Sequence, residues 1–322
     1  MRTATILGWL CAGLASFSPA WSQPYPARAI KVIVPMQAGT AGDTVIRIVT
    51  QKIAANIGQP LVIENMPAAA GFTGEERVAR SVADGYTIGA MGDSMLTVMP
   101  HLQTHTGFDP LRDFEPVSLV ASITSVMVVH PSVAAATVRE FIVLAKSHPG
   151  ALDFASGGIG SQQHMAMELF MAAAGIRLNH IPLRGASQAA MEVVSGRIPA
   201  TFVALSIAMP FIKDGRLRAI AVAGKERSVL LPALPTVSES GLPGFVLAPW
   251  VAIYAPKGTP PTVIDRLNRE IVVAVGDPVV RNQLLAQGLE PETSTPAELG
   301  LRTRDDYARM GKLIRASGIK GE

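Results

Sequence analysis

The sequence predicts an α/β protein built on a doubly wound parallel sheet. Three observations carry that expectation. Short β-branched apolar runs alternate with stretches whose apolar residues recur at helical spacing. The connections between them are short, as parallel strands joined by crossover helices require. One unit, a strand followed by a small-residue loop and a helix start, occurs once in each half of the chain.

The first unit opens with Lys31-Val32-Ile33-Val34, a buried strand, and continues through a loop to Thr44-Val45-Ile46-Arg47-Ile48-Val49, a helix. Gly39 and Gly42 let the loop backbone turn and approach a guest. Asp43 or Thr44 is expected to cap the helix, whose first N–H groups point into the loop and suit an anion such as a carboxylate. Next come a strand at Pro60–Asn65, a helix from about Glu75 to Ser81 and a strand at Tyr86–Ala90. In such sheets ligands sit beyond the C-terminal strand ends, where Gly39 and Gly92 fall.

Val117–Val120 and Val126–Val129 are extended segments suited to crossing between domains. Thr137 and Glu140 have capping-box spacing, and their helix should end near Ser147. The second unit follows: a strand at Asp153–Ala155, the loop Ser156–His164, and a helix from Met165 to Ala173 with Ser161 as cap. Further strands are expected at Leu178–Pro182, Ala200–Ala204 and Leu217–Ala223, with a helix over Ser187–Ser195. Pro249–Pro256 reads as a second crossing strand. Helices capped at Gly258-Thr259-Pro260 and at Ser294–Glu298 close the chain.

At 322 residues, 48% hydrophobic and 16% charged, the chain is long enough for two domains with sizeable cores. Its net charge is +3, and Lys and Arg are scattered, which excludes a nucleic-acid footprint. Arg2, the apolar stretch Ala4–Phe17 and Ala20-Trp21-Ser22 form a signal peptide, with the mature chain expected from Gln23. Cys11, the single cysteine, lies within it, so the mature chain is expected to hold no thiol, disulfide or thiolate-bound metal.

Along the mature chain stand Tyr25-Pro26, Gly58-Gln59-Pro60, Glu64-Asn65-Met66-Pro67, Asp84-Gly85-Tyr86-Thr87, Asp109-Pro110-Leu111 and His130-Pro131-Ser132. Phe154-Ala155-Ser156-Gly157-Gly158-Ile159-Gly160-Ser161, Leu234-Pro235-Thr236 and Ala255-Pro256-Lys257-Gly258-Thr259-Pro260 continue the series. In order and spacing these residues resemble the Bug-type (TctC-like) extracytoplasmic solute receptors of tripartite tricarboxylate transporters. The resemblance implies a type II periplasmic-binding-protein fold, two doubly wound α/β lobes joined by two crossing strands. It implies residues 1–22 as signal, 23–122 plus 250–322 as one lobe, and 123–249 as the other. A periplasmic monomer is implied, with no catalytic activity, cofactor, metal or nucleic-acid partner, which hands a small carboxylate-bearing ligand to membrane transporter subunits.

The family's ligand contacts fall in loops that match four stretches here. They are Met36, Gln37, Ala38, Gly39, Thr40, Ala41 and Asp43; Gly92, Asp93 and Ser94; Ser156, Gly157, Gly158, Gly160, Ser161 and His164; and Leu183, Arg184 and Gly185, with Val203 added from a strand. Gln37, Thr40 and Ala41 replace the glycine and proline usual in relatives, adding an amide and a hydroxyl as donors. Arg184, where relatives often carry lysine, offers a bidentate grip on a carboxylate. Val203, where relatives often carry an acidic or amide residue, argues against an amino-acid ligand.

Other readings stay open at this level. Gly92-Asp93-Ser94-Met95 resembles the nucleophile block of GDSL esterases, yet no histidine follows His180 to serve as its base. A receptor feeding a sensor kinase fits the same residues. His101 and His105 have metal-ligand spacing but fall in an expected loop, without the glutamate of a zinc hydrolase. Trp250 and Tyr254 are expected to pack in the core.

Overall fold

A computed structural model describes residues 25–67, 72–103 and 105–320. The signal-peptide assignment and Cys11 lie outside them. Two sheets organise the chain. The first takes β1 (Ile30–Val34), β2 (Leu61–Asn65), β3 (Thr87–Gly92), β4 (Phe114–Ile123), β10 (Trp250–Pro256) and β11 (Leu289–Pro291), in the order β11-β4-β10-β3-β1-β2. The second takes β5 (Ser125–Val129), β6 (Asp153–Ser156), β7 (Asn179–Pro182), β8 (Ala200–Ala204) and β9 (Arg218–Val222), in the order β7-β6-β8-β5-β9.

Both sheets are mixed, which corrects the all-parallel expectation. β1 pairs in parallel with β2 and β3, and β6 with β7 and β8. β10 runs antiparallel between β3 and β4, and β5 antiparallel to β8 and β9. The cause is the chain's path between the sheets. β4 leaves the first sheet and becomes β5 after one residue, Thr124, while β10 returns from the second and must enter against its neighbours. Pro249 precedes β10, so the return crossing is irregular chain and the strand itself lies wholly in the first sheet.

The helices include α1 (Ala41–Ile57), α2 (Thr73–Ala79), α3 (Asp93–Thr97), α4 (Met99–Leu102), α5 (Val138–Ser147), α6 (Gln162–Ala174), α7 (Ala186–Val194) and α8 (Leu205–Lys213). They end with α9 (Pro261–Gly276), α10 (Pro278–Ala286) and α11 (Pro296–Ser317). Thr137 caps α5, and Thr295 with Glu298 closes a capping box on α11. Helices α3, α4, α8 and α10 and strand β11 were not expected. α8 carries Pro210 in its interior, and α3 and α4 are too short to show a period. His101 accordingly sits on α4, where its Nε2 meets the Tyr307 carbonyl at 2.8 Å.

Each lobe has its own core. Val32, Val34, Val45, Ile46, Ile253 and Leu267 belong to the first, and Met127, Phe141, Phe154, Phe170 and Phe202 to the second. Trp250 and Tyr254 are fully buried, the indole N–H donating to Asp306 at 2.9 Å and the phenol bonded to Thr303. A further apolar cluster joins the lobes: Val98, Leu102, Met310, Leu313 and Ile314 from the first meet Met165 from the second. Gly160 lies in that contact with φ +73°, and a Cβ there would stand 2.6 Å from Leu102 Cδ1.

Glu75 of α2 is 2% exposed, and its Oε2 has no hydrogen-bond partner among the described residues. Burial pushes its carboxyl up to about 7. A folded-state value above the unfolded one means the neutral acid is favoured in the fold. Its contribution to stability is full below about pH 4.5 and is lost as pH rises through about 7, a change of about 3 kcal/mol. Glu75→Gln should therefore raise the melting temperature near pH 8 and flatten its decline above pH 5 in thermal unfolding. An unchanged slope would refute the buried-acid account.

Candidate ligand-binding cleft

The parallel strands aim their C-terminal ends at the gap between the lobes, and the helices that follow begin there. α1 starts beyond β1, α3 beyond β3, α6 beyond β6, α7 beyond β7 and α8 beyond β8. The gap is a cleft of about 890 Å³ lined from both lobes. A second depression, of about 840 Å³, lies on the outer edge of the first sheet. Most of its charged groups already pair internally, as Arg28 with Asp84 and Lys31 with Glu64. The cleft is the better site because its donors are unused.

Those donors are backbone groups at helix starts. In α1 Thr40, not Asp43 or Thr44, is the cap: its hydroxyl accepts from the Asp43 N–H and donates to the Gln37 carbonyl at 2.9 Å. The N–H groups of Ala41 and Gly42 are left without a partner among the described residues. In α6 Ser161 accepts from the His164 N–H, leaving those of Gln162 and Gln163. α7 follows Gly185, which as N-cap offers no side-chain acceptor, so the first N–H groups of this helix are also open. Summed helix dipoles and open N–H groups make this region electropositive.

Among the described residues Arg184 is the one charged side chain that lines the cleft. Gln37, Gln162, Gln163, Gln188 and Gln287 add amides, and Thr44, Ser94, Ser125, Ser161, Ser187 and Ser206 add hydroxyls. Met36, Met95, Ile123, Val203, Ile207 and Val251 supply apolar wall.

Thirteen expected site residues line the cleft: Met36 to Ala41, Gly92, Ser94, Gly157, Ser161, Arg184, Gly185 and Val203. Seven do not. Asp43 turns inward, 1% exposed, and accepts from the Gly39 N–H, Arg47 and Asn65 at 2.8 Å each. His164, 3% exposed, accepts the Gly160 N–H on Nδ1 and stacks on His180 at 3.9 Å. Ser156 is buried, bonded to Gly158 and to His180 Nε2 at 2.6 Å. These three shape the loops from behind. Gly158 and Gly160 serve the loop backbone through positive φ, and the Leu183 N–H is taken by the Ser156 carbonyl. Asp93 faces Gln162.

Gly157 has a packing reason to be glycine, since a Cβ there would lie 3.0 Å from the Ala186 N. The cleft also takes in residues outside the expected set, among them Ser125, Ala186 to Gln188, Ser206, Ile207 and Gln287. The rule that binding sites follow C-terminal strand ends would have reached Ser206 beyond Ala204. Nothing local in the sequence marks Gln287. Ser94 has no side-chain hydrogen bond, and no histidine lines the cleft among the described residues.

Two α/β lobes, linked by crossing segments and enclosing a donor-rich cleft, define a two-lobed solute-binding protein. The model of the tripartite tricarboxylate transporter family receptor matches residues 45–319, and the chain belongs to that family. It is 34% identical over 320 residues to BugT of Bordetella pertussis, covering 99% of this chain and 98% of that one. Among solved structures it is similar to R. palustris Rpa4515 with adipate, at 28% identity and TM-score 0.82, covering 92% of this chain and 100% of that one. It is also similar to MatC of Rhodopseudomonas palustris with bound malate, at 27% identity and TM-score 0.76, covering 90% and 100%.

Burial would raise the Asp43 carboxyl, but hydrogen bonds from Arg47, Asn65 and the Gly39 N–H together hold it below the ordinary value. A lowered folded-state value contributes stability above the unfolded one, and that contribution is lost as pH falls through the folded value. Asp43→Ala should cost about 2–4 kcal/mol in urea unfolding at neutral pH, because three donors lose their acceptor. It should also weaken the acid limb of the stability profile. A change within 0.5 kcal/mol, about the surface-substitution range, would mean the network does not hold the loop.

Proposed function

We propose that the chain is a periplasmic receptor that closes two lobes over a small organic acid and presents it to a tripartite tricarboxylate-type membrane transporter. The observation that carries this reading is the convergence of unpaired helix-start N–H groups from both lobes on a cleft whose charged lining, among the described residues, is Arg184 alone. A carboxylate satisfies those donors at once. The acids named with the Rpa4515 and MatC structures agree in class. Expected contacts are Gln37 to Ala41, Ser94, Gly157, Ser161, Arg184 and Gly185, with Asp43, Ser156 and His164 as their supports. Closure is favoured only when ligand bridges the lobes, and the closed shape is what a membrane partner reads. Micromolar affinity, about −8 kcal/mol, suffices for capture.

A thermal-shift screen of mono-, di- and tricarboxylates, aromatic acids and amino acids tests this. At least one acid should raise the melting temperature, and Arg184→Met should weaken that acid about tenfold or more in calorimetry. Acids without effect, alongside a neutral or cationic solute that stabilises, would overturn the reading.

A further inference from the structure

One acid at the cleft wall is turned away from the ligand space. Asp93, the first residue of α3, accepts a hydrogen bond from the Gln162 side-chain amide of the second lobe, Nε2 to Oδ1 at 3.0 Å. Gln162 borders two spaces: the cleft, and a small cavity of about 20 Å³ behind it that Asp93 also lines. An ionised carboxylate only accepts, so the amide must direct its NH2 to Asp93. Its carbonyl oxygen is then left over, without a hydrogen-bond partner among the described residues.

We propose that Asp93 is a positioning residue: it holds the Gln162 amide across the lobe boundary with its carbonyl toward the cleft, so that the site selects an acid bearing a hydroxyl. This rests on the acid-receptor reading above. An acceptor in the wall calls for a donor on the ligand. An ammonium group would fill that role, but no carboxylate lines the cleft among the described residues to balance it, and Val203 presents an apolar wall. A hydroxyl needs no counter-charge.

The arrangement depends on the ionisation of Asp93. Burial pushes its carboxyl up to about 6 and Asp306 adds to this, while bonds from Gln162 and the Ser94 N–H and the charge of Arg302 oppose it. The charged and titratable groups facing it are Asp306 and Arg309 in the shared cavity, Arg302 beside them on α11, and Tyr254 on β10. The second lobe's share of that cavity holds no titratable group among the described residues. Above about pH 6 the amide is held with its carbonyl outward. Below it, the protonated acid can donate to that carbonyl, and the amide is free to turn.

The test is calorimetric binding of L-malate, succinate and L-aspartate to the wild type, Asp93→Asn and Gln162→Leu, near pH 8 and near pH 5. In the wild type near pH 8, malate should bind about tenfold more tightly than succinate, the order of one hydrogen bond. That ratio should fall to about twofold or less in both variants and in the wild type near pH 5, and Asp93→Asn should show the same ratio at both pH values. The wild-type pH comparison requires no variant to fold. A malate preference that survives either substitution, or a wild type that prefers succinate or aspartate, overturns the inference while leaving the acid receptor intact. Binding of none of the three overturns it as well, and the broader acid screen then decides the function separately.

Discussion

The structure depends on where unpaired backbone donors fall. A helix leaves its first N–H groups without internal partners, and in this fold five helices begin at one gap. β1, β3, β6, β7 and β8 all end there, and short loops return the chain directly into α1, α3, α6, α7 and α8. Small residues at Gly39, Gly157 and Gly185 keep side chains from covering those donors. The few side-chain caps, Thr40 and Ser161, satisfy one N–H each and leave the rest for a guest. The electropositive character of the cleft thus follows from backbone geometry, with Arg184 as a charged supplement.

That geometry is held from behind by polar groups that never reach the cleft. Asp43 ties the Gly39 turn to Arg47 and Asn65, and Asn65 in turn donates to the Met36 carbonyl at 3.0 Å. In the second lobe, Ser156, His164 and His180 do the same for the glycine loop. Burial and the neighbouring His164 push His180 down to about 4, so it stays neutral at physiological pH and accepts stacking against its partner ring. Each loop is thus tied by hydrogen bonds within its own lobe, without calling on any group across the cleft.

The crossings fix how the lobes meet. One residue, Thr124, separates β4 from β5, and its carbonyl accepts from the Leu205 N–H at 2.8 Å while its hydroxyl donates to Glu290. The return path is pinned by α11, where Arg302 donates to the Ala248 carbonyl and Arg309 to that of Val246. On one flank the apolar cluster around Leu102, Met165 and Met310 closes the lobes together. The cleft lies beside that cluster, and the Asp93–Gln162 bond stands between the two.

The sequence by itself determined the alternation of strands and helices, the caps at Thr137, Ser161 and Thr295, and the two glycine loops that flank the cleft. Those features are local, because propensity, capping and turn chemistry act over a few residues. The family motifs extended this to two lobes and to a set of contact residues of which thirteen line the cleft. The tertiary structure decided the rest. Which way Asp43, Asp93 and His164 point depends on partners 22, 69 and 16 residues away in Asn65, Gln162 and His180, a distance over which local patterning carries no information. The same holds for Gln287, brought to the cleft by the path of α10 and β11, and for the antiparallel entry of β10. A side chain's direction is set by packing against residues that only the folded chain makes neighbours.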